Sequence, residues 1–159
     1  MLQKDKSIRG MAVAAAVLSG CNLLLNCLFV LCPQIVAMLF LRTSMESYSF
    51  GNILPFMLIR ASLPVMLLII ALVNIKSDTF QEQKGIGTAI AIGVCWIFGL
   101  ILNAWLHTLC MKLCLGSDMV VLYNIVNVAQ NYAGFLETIA RFLLISIASI
   151  EIYVTGKNL

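Results

Sequence analysis

Residues 10–41 carry no charged side chain, and neither do residues 85–111. Two further stretches come close: residues 53–75 hold only Arg60, and residues 119–154 only Glu137, Arg141 and Glu151. An apolar run of about 18 or more residues is long enough to cross a bilayer as a helix. Inside hydrocarbon every backbone N–H and C=O needs a partner within the protein, which leaves helices or closed barrels. Barrel strands alternate apolar and polar residues; runs such as LPVMLLIIALV do not. The sequence therefore reads as an all-α integral membrane protein. The expected architecture is a four-transmembrane-helix bundle forming one domain over residues 1–159, with helices near 11–41, 53–75, 86–111 and 119–154.

Composition agrees with that solvent. Apolar residues make up 62% of the chain and charged ones 11%, with a mean hydropathy of +1.02. A water-soluble domain has about 45–50% and about 25%. The charges left over are placed asymmetrically. With the N-terminus inside, the inner segments hold Lys4, Lys6, Arg9, Lys76, Lys84 and Lys157, and the outer ones Arg42 and Lys112. That bias follows the positive-inside rule and puts both termini in the cytoplasm. It also accounts for the net charge of +3. No basic patch with interleaved aromatics is present, so nucleic acid is not an expected partner. The short loops and the charge bias point to a bacterial cytoplasmic membrane.

Residues 17–34 read VLSGCNLLLNCLFVLCPQ, in which Leu18-Ser19-Gly20-Cys21 matches the cleavage box of a lipoprotein signal. A cleaved signal is followed by a soluble chain, whereas residues 23–41 stay apolar. The expectation is one uncut helix serving as a signal anchor. At 1.5 Å per residue, residues 10–41 would reach about 48 Å, beyond a ~30 Å hydrocarbon core. The helix must tilt, project or break, and Pro33 is the natural break. Ser19, Asn22, Asn26 and Pro33 fall near one face, expected to point into the bundle.

The second helix sets Arg60 and Ser62 between Pro55 and Pro64, and the third carries Ala89, Gly93 and Gly99, which permit close helix contact. The fourth is the most informative. Asn124, Asn127, Gln130, Asn131, Gly134, Glu137, Thr138 and Arg141 occupy an arc of roughly 140°. Such a stripe faces partner helices or a wet cavity. Tyr132 and Tyr153 stand 21 residues apart, about 31 Å of helix, which matches two interfacial belts and sets the span at 132–153. Residues 117–131 then form a surface amphipathic segment or a helix projecting from the membrane.

Charges inside a membrane mark sites by default. Arg60 lies about 10 Å and Glu137 about 8 Å below the outer ends of their helices, so the two can pair at one depth. Arg141 reaches Glu137 at i,i+4. The cluster reads first as a lock between helices and second as a site for an ion, proton or anionic ligand. Among the six cysteines, Cys32, Cys110 and Cys114 fall on the outer side, where a disulfide is permitted. Cys110 and Cys114 are not the Cys-x-x-Cys pair of thiol oxidoreductases. His107, Cys110 and Cys114 share a helix face and are a weak metal set, needing a fourth ligand from elsewhere. No P-loop, Gly-x-Gly-x-x-Gly or His-Glu-x-x-His motif occurs, and no cofactor is implied. The functional expectation is a non-catalytic subunit, or an accessory or assembly partner, of a larger membrane complex. A small homo-oligomeric transporter or channel built on the fourth helix and Arg60 is the alternative, and an outward-facing thiol enzyme the third. Its partners are then the lipid bilayer and either other membrane polypeptides or copies of itself.

Overall fold

The structure, a computed structural model, describes residues 6–31, 54–77, 79–113 and 120–156; at 30, 54–57, 82, 106–107, 109–113, 120–126 and 128–130 the description covers the backbone alone. Among the described residues the architecture is all-helical. Its helices are α1 (Lys6–Leu31), α2 (Leu54–Lys76), α3 (Glu82–Leu113) and α4 (Val120–Gly156). Each contains a segment long and apolar enough to cross a membrane: Lys6–Phe29, Leu58–Lys76, Gln83–Trp105 and Asn131–Gly156.

The helix limits follow local chemistry. Pro55 sits in the first turn of α2, where its missing N–H has no partner to lose. Pro64 lies inside α2 and removes the bond that would have closed on the carbonyl of Arg60. The Gln81 carbonyl accepts from the backbone N–H groups of Lys84 and Gly85 and so starts α3. Pro33, the expected break in the first helix, lies outside the described residues, as does Cys32. α4 runs unbroken from Val120, so residues 120–130 continue the spanning helix rather than forming a separate one.

Several hydroxyl side chains are satisfied within their own helices. Ser19 donates to Ala15 O, Thr138 to Gly134 O, Ser146 to Phe142 O and Thr155 to Glu151 O. This back-bonding lets Thr138 and Ser146 face outward without an unpaired donor, which hydrocarbon would penalise.

The helices run alternately up and down. Ile8, Ala12 and Ala15, which precede Asn22 on α1, share one core cluster with Leu67 and Ala71, which follow Arg60 on α2. Ala140, Leu144 and Ile147, which follow Glu137 on α4, complete it with Ile92 and Cys95 of α3. α1 packs along both α2 and α4, and α4 along α3; α2 and α3 meet more lightly. Alanines at 12, 15, 71 and 140 are almost fully buried, and small residues let helices approach closely where no hydrophobic drive separates protein from lipid.

Gly85 marks a close approach of α3 to the backbone of α4. A Cβ there would stand 3.0 Å from Glu151 Cβ and 3.1 Å from the Ala148 carbonyl oxygen. Gly93, on the same helix, has open space at that position. Gly85→Ala therefore forces the two helices apart and destabilises by about 1–3 kcal/mol, whereas Gly93→Ala does not. Unfolding of both variants in detergent, followed by far-UV circular dichroism, reads the contrast.

Candidate functional site

Four of the buried polar residues gather at one level of the bundle. Asn22, Asn26, Arg60 and Glu137 are each at most 3% exposed. Glu137 contacts Arg60, and Arg60 bonds Asn103, so these three side chains share one level of the bundle.

The Glu137 carboxylate is the hub. Its Oε1 accepts from Asn22 Nδ2 of α1 at 3.2 Å and lies 3.7 Å from Arg60 Nη2 of α2. Its Oε2 accepts from Arg141 Nη2, one turn along α4, at 3.3 Å. Arg60 Nη1 donates to Asn103 Oδ1 of α3 at 2.7 Å, which brings the fourth helix into the cluster. Asn22 also donates to the Ala133 carbonyl, and its own carbonyl and Oδ1 accept from Asn26 Nδ2, both at 2.9 Å. Gly99 opens the path: a Cβ there would stand 3.0 Å from Arg141 Nη2.

The charges do not cancel. Two guanidinium groups face one carboxylate. Among the described residues the other buried carboxylate is Glu151, 14 residues along α4 and so about 21 Å away. Arg60 Nε, Arg60 Nη2 and Arg141 Nε are buried with no hydrogen-bond acceptor among the described residues. At 3.7 Å the approach of Arg60 Nη2 to Glu137 is an ion pair and not a hydrogen bond.

The polar stripe of α4 divides between buried and exposed positions. Glu137 is buried and Arg141 nearly so, while Thr138, Asn131 and Asn127 are exposed. The side chains of Asn124 and Gln130 lie outside the described residues. So do those of His107 and Cys110, and Cys114 altogether, so the proposed disulfide and metal sets fall outside the description. Cys21, Cys27 and Cys95 are free thiols. Among the described residues no three potential metal ligands stand together.

Counting depth from the helix ends was enough to bring Arg60, Glu137 and Arg141 to one level. Asn22 was legible only as part of a polar face, and Asn103 carried no role. The signal for Asn103 was available: between Thr88 and His107 it is the lone amide in an apolar run, placed at the depth of Arg60. No protein-family model, curated protein or solved structure matches the chain.

The excess of cations orders the variants. Glu137→Gln leaves two buried guanidinium groups without a counter-charge and costs about 3–5 kcal/mol. Arg60→Met leaves a neutral Glu137–Arg141 pair and removes the donor from the exposed Asn103, so it costs less than Glu137→Gln. Combining Arg60→Met with Glu137→Gln does not restore stability, because Arg141 remains; adding Arg141→Met does. Thermal unfolding of the four variants in detergent micelles measures the order.

Proposed function

We propose that this chain is a non-catalytic membrane subunit, or an accessory or assembly partner, working through contacts with other membrane polypeptides. The observation that carries the reading is the cluster at Glu137. Its polar side chains bond to one another across all four helices, an arrangement that holds a bundle together. The outward surface is apolar: Leu24, Ile69, Ile90, Ile97, Leu100 and Phe142 are all more than half exposed. That surface suits lipid and helix partners alike.

The termini face the cytoplasm in this reading, in a bacterial cytoplasmic membrane. In support, the alternating helices gather Lys6, Arg9, Lys76 and Lys84 at the end opposite the Glu137 cluster, as the positive-inside rule requires. In a cysteine-free background, cysteines introduced at Ser7 and Asn158 resist an impermeant thiol reagent in intact cells, and one at Ser47 reacts. Labelling of the termini with protection of Ser47 inverts the orientation.

One observation favours the alternative of a small homo-oligomeric transporter or channel. The unmatched guanidinium N–H groups of Arg60 and Arg141 suit a passing anion. Mass determination of the purified chain separates the two. Co-purification with a different polypeptide supports the subunit reading. A symmetric homo-oligomer that carries chloride into vesicles, and loses that flux with Arg60→Met, overturns it.

A further inference from the structure

The lighter contact between α2 and α3 leaves a groove on the outside of the bundle. One cavity of about 310 Å³ is lined by Met66, Ile69, Ile70, Ala91, Val94 and Cys95. A second, of about 260 Å³, shares Ile69, Ile70 and Ala91 with it, so the two are continuous. The second adds Val73, Asn74, Lys84, Gly87 and Thr88. The groove is thus apolar at its deep end and polar at its mouth. From Lys84 to Cys95 it follows about 16 Å of helix, close to half of a ~30 Å hydrocarbon core and so to the depth of one leaflet.

The mouth has built features. Lys84 Nζ crosses from α3 to donate to the Val73 carbonyl of α2 at 3.0 Å. Val73 belongs to the last turn of α2, whose carbonyls lack helical partners, so this bond fixes the ammonium at the rim. Asn74 is 1% exposed and donates through Nδ2 to Ile70 O and Thr88 Oγ1. Its Oδ1 is buried with no donor among the described residues, and Asn74 is among the residues lining the same cavity.

We propose that this groove binds one glycerophospholipid with an anionic, hydroxyl-bearing headgroup, of the phosphatidylglycerol class. An acyl chain fills the apolar length between Met66 and Val94. The phosphate is drawn to Lys84, and a headgroup hydroxyl is the donor that Asn74 Oδ1 lacks. The charge at the rim selects an anionic lipid over a zwitterionic one, and the leaflet-length trough selects a lipid over a free anion. The inference rests on the membrane-spanning reading and goes beyond the subunit proposal, since a lipid seat serves either functional reading.

The test is native mass spectrometry of the full chain released from detergent and titrated with phosphatidylglycerol or with phosphatidylcholine of the same acyl chains. The expected result is one retained phosphatidylglycerol per chain, bound more tightly than phosphatidylcholine. Lys84→Gln lowers that affinity about fivefold, while Lys6→Gln, an equal loss of charge on α1, leaves it unchanged. Ala91→Leu fills the groove and removes the retained lipid of either class; an unaltered circular dichroism melt shows that the bundle persists. Equal retention of the two lipids, or Lys84→Gln and Lys6→Gln acting alike, overturns the proposal. Resistance of the chain to alkaline extraction from membranes reports insertion separately, so failure of the groove is distinguishable from failure of the spanning reading. Inorganic phosphate binding in place of the lipid also overturns it.

Discussion

A carboxylate buried among apolar helices is stable only when its charge is answered nearby, and at Glu137 three helices answer it. Asn22 of α1 and Arg60 of α2 approach one oxygen, and Arg141 of α4 itself approaches the other. Arg60 in turn bonds Asn103 of α3. Side chains this close set the relative depth of all four helices. A shift of one helix by a turn, about 5.4 Å, would separate the pairs that helix makes with the others. Within the bilayer no water repairs such a loss. The apolar core beyond the cluster, from Leu67 and Ala71 to Leu144 and Ile147, fills space but does not choose a register so sharply.

The cluster is also unbalanced, and that shapes what the protein can do. A neutral pair would have sufficed to lock two helices. The second guanidinium leaves a positive charge in the interior, and three nitrogens of the two guanidinium groups have no hydrogen-bond acceptor among the described residues. As a lock the arrangement is therefore costlier than it needs to be, which is why loss of Arg60 and loss of Glu137 are not equivalent. The opposite end has a different character. There Gly85 lets α3 press against Glu151, and the basic residues collect at the rim. One end of the bundle is held by internal ion pairs and the other by close backbone approach.

Helix number and class were legible from charge spacing alone, because a bilayer tolerates few alternatives to an uncharged run. The observed limits moved at several ends. α1 starts at Lys6 and α3 at Glu82, ahead of the apolar runs, since charged residues in a first helical turn meet water and the backbone has no reason to stop there. The level of Arg60 and Glu137 was legible because helix rise converts sequence distance into depth. The partners of those charges were less so. Asn22, Asn103, Asn74 and Thr88 are neutral, and neutral amides and hydroxyls recur through membrane helices for local reasons. Which of them meet depends on the rotation of each helix about its axis. The groove between α2 and α3 was not legible at all, since it arises from how closely two helices approach and from no residue pattern.

The claim on which the account stands is that Arg60 reaches Glu137 across the bundle in a bilayer. Solid-state NMR of the chain in lipid, with carboxyl-labelled glutamate and nitrogen-labelled arginine, reads it directly. The Arg141→Lys variant is the informative sample, because there the labelled guanidinium next to Glu137 on its own helix is gone. The account predicts that the glutamate carboxyl signal abolished by Glu137→Gln still shows short-range dipolar coupling to arginine nitrogen in that variant. Loss of the coupling on removing Arg141 alone would place Arg60 away from Glu137 and contradict the account.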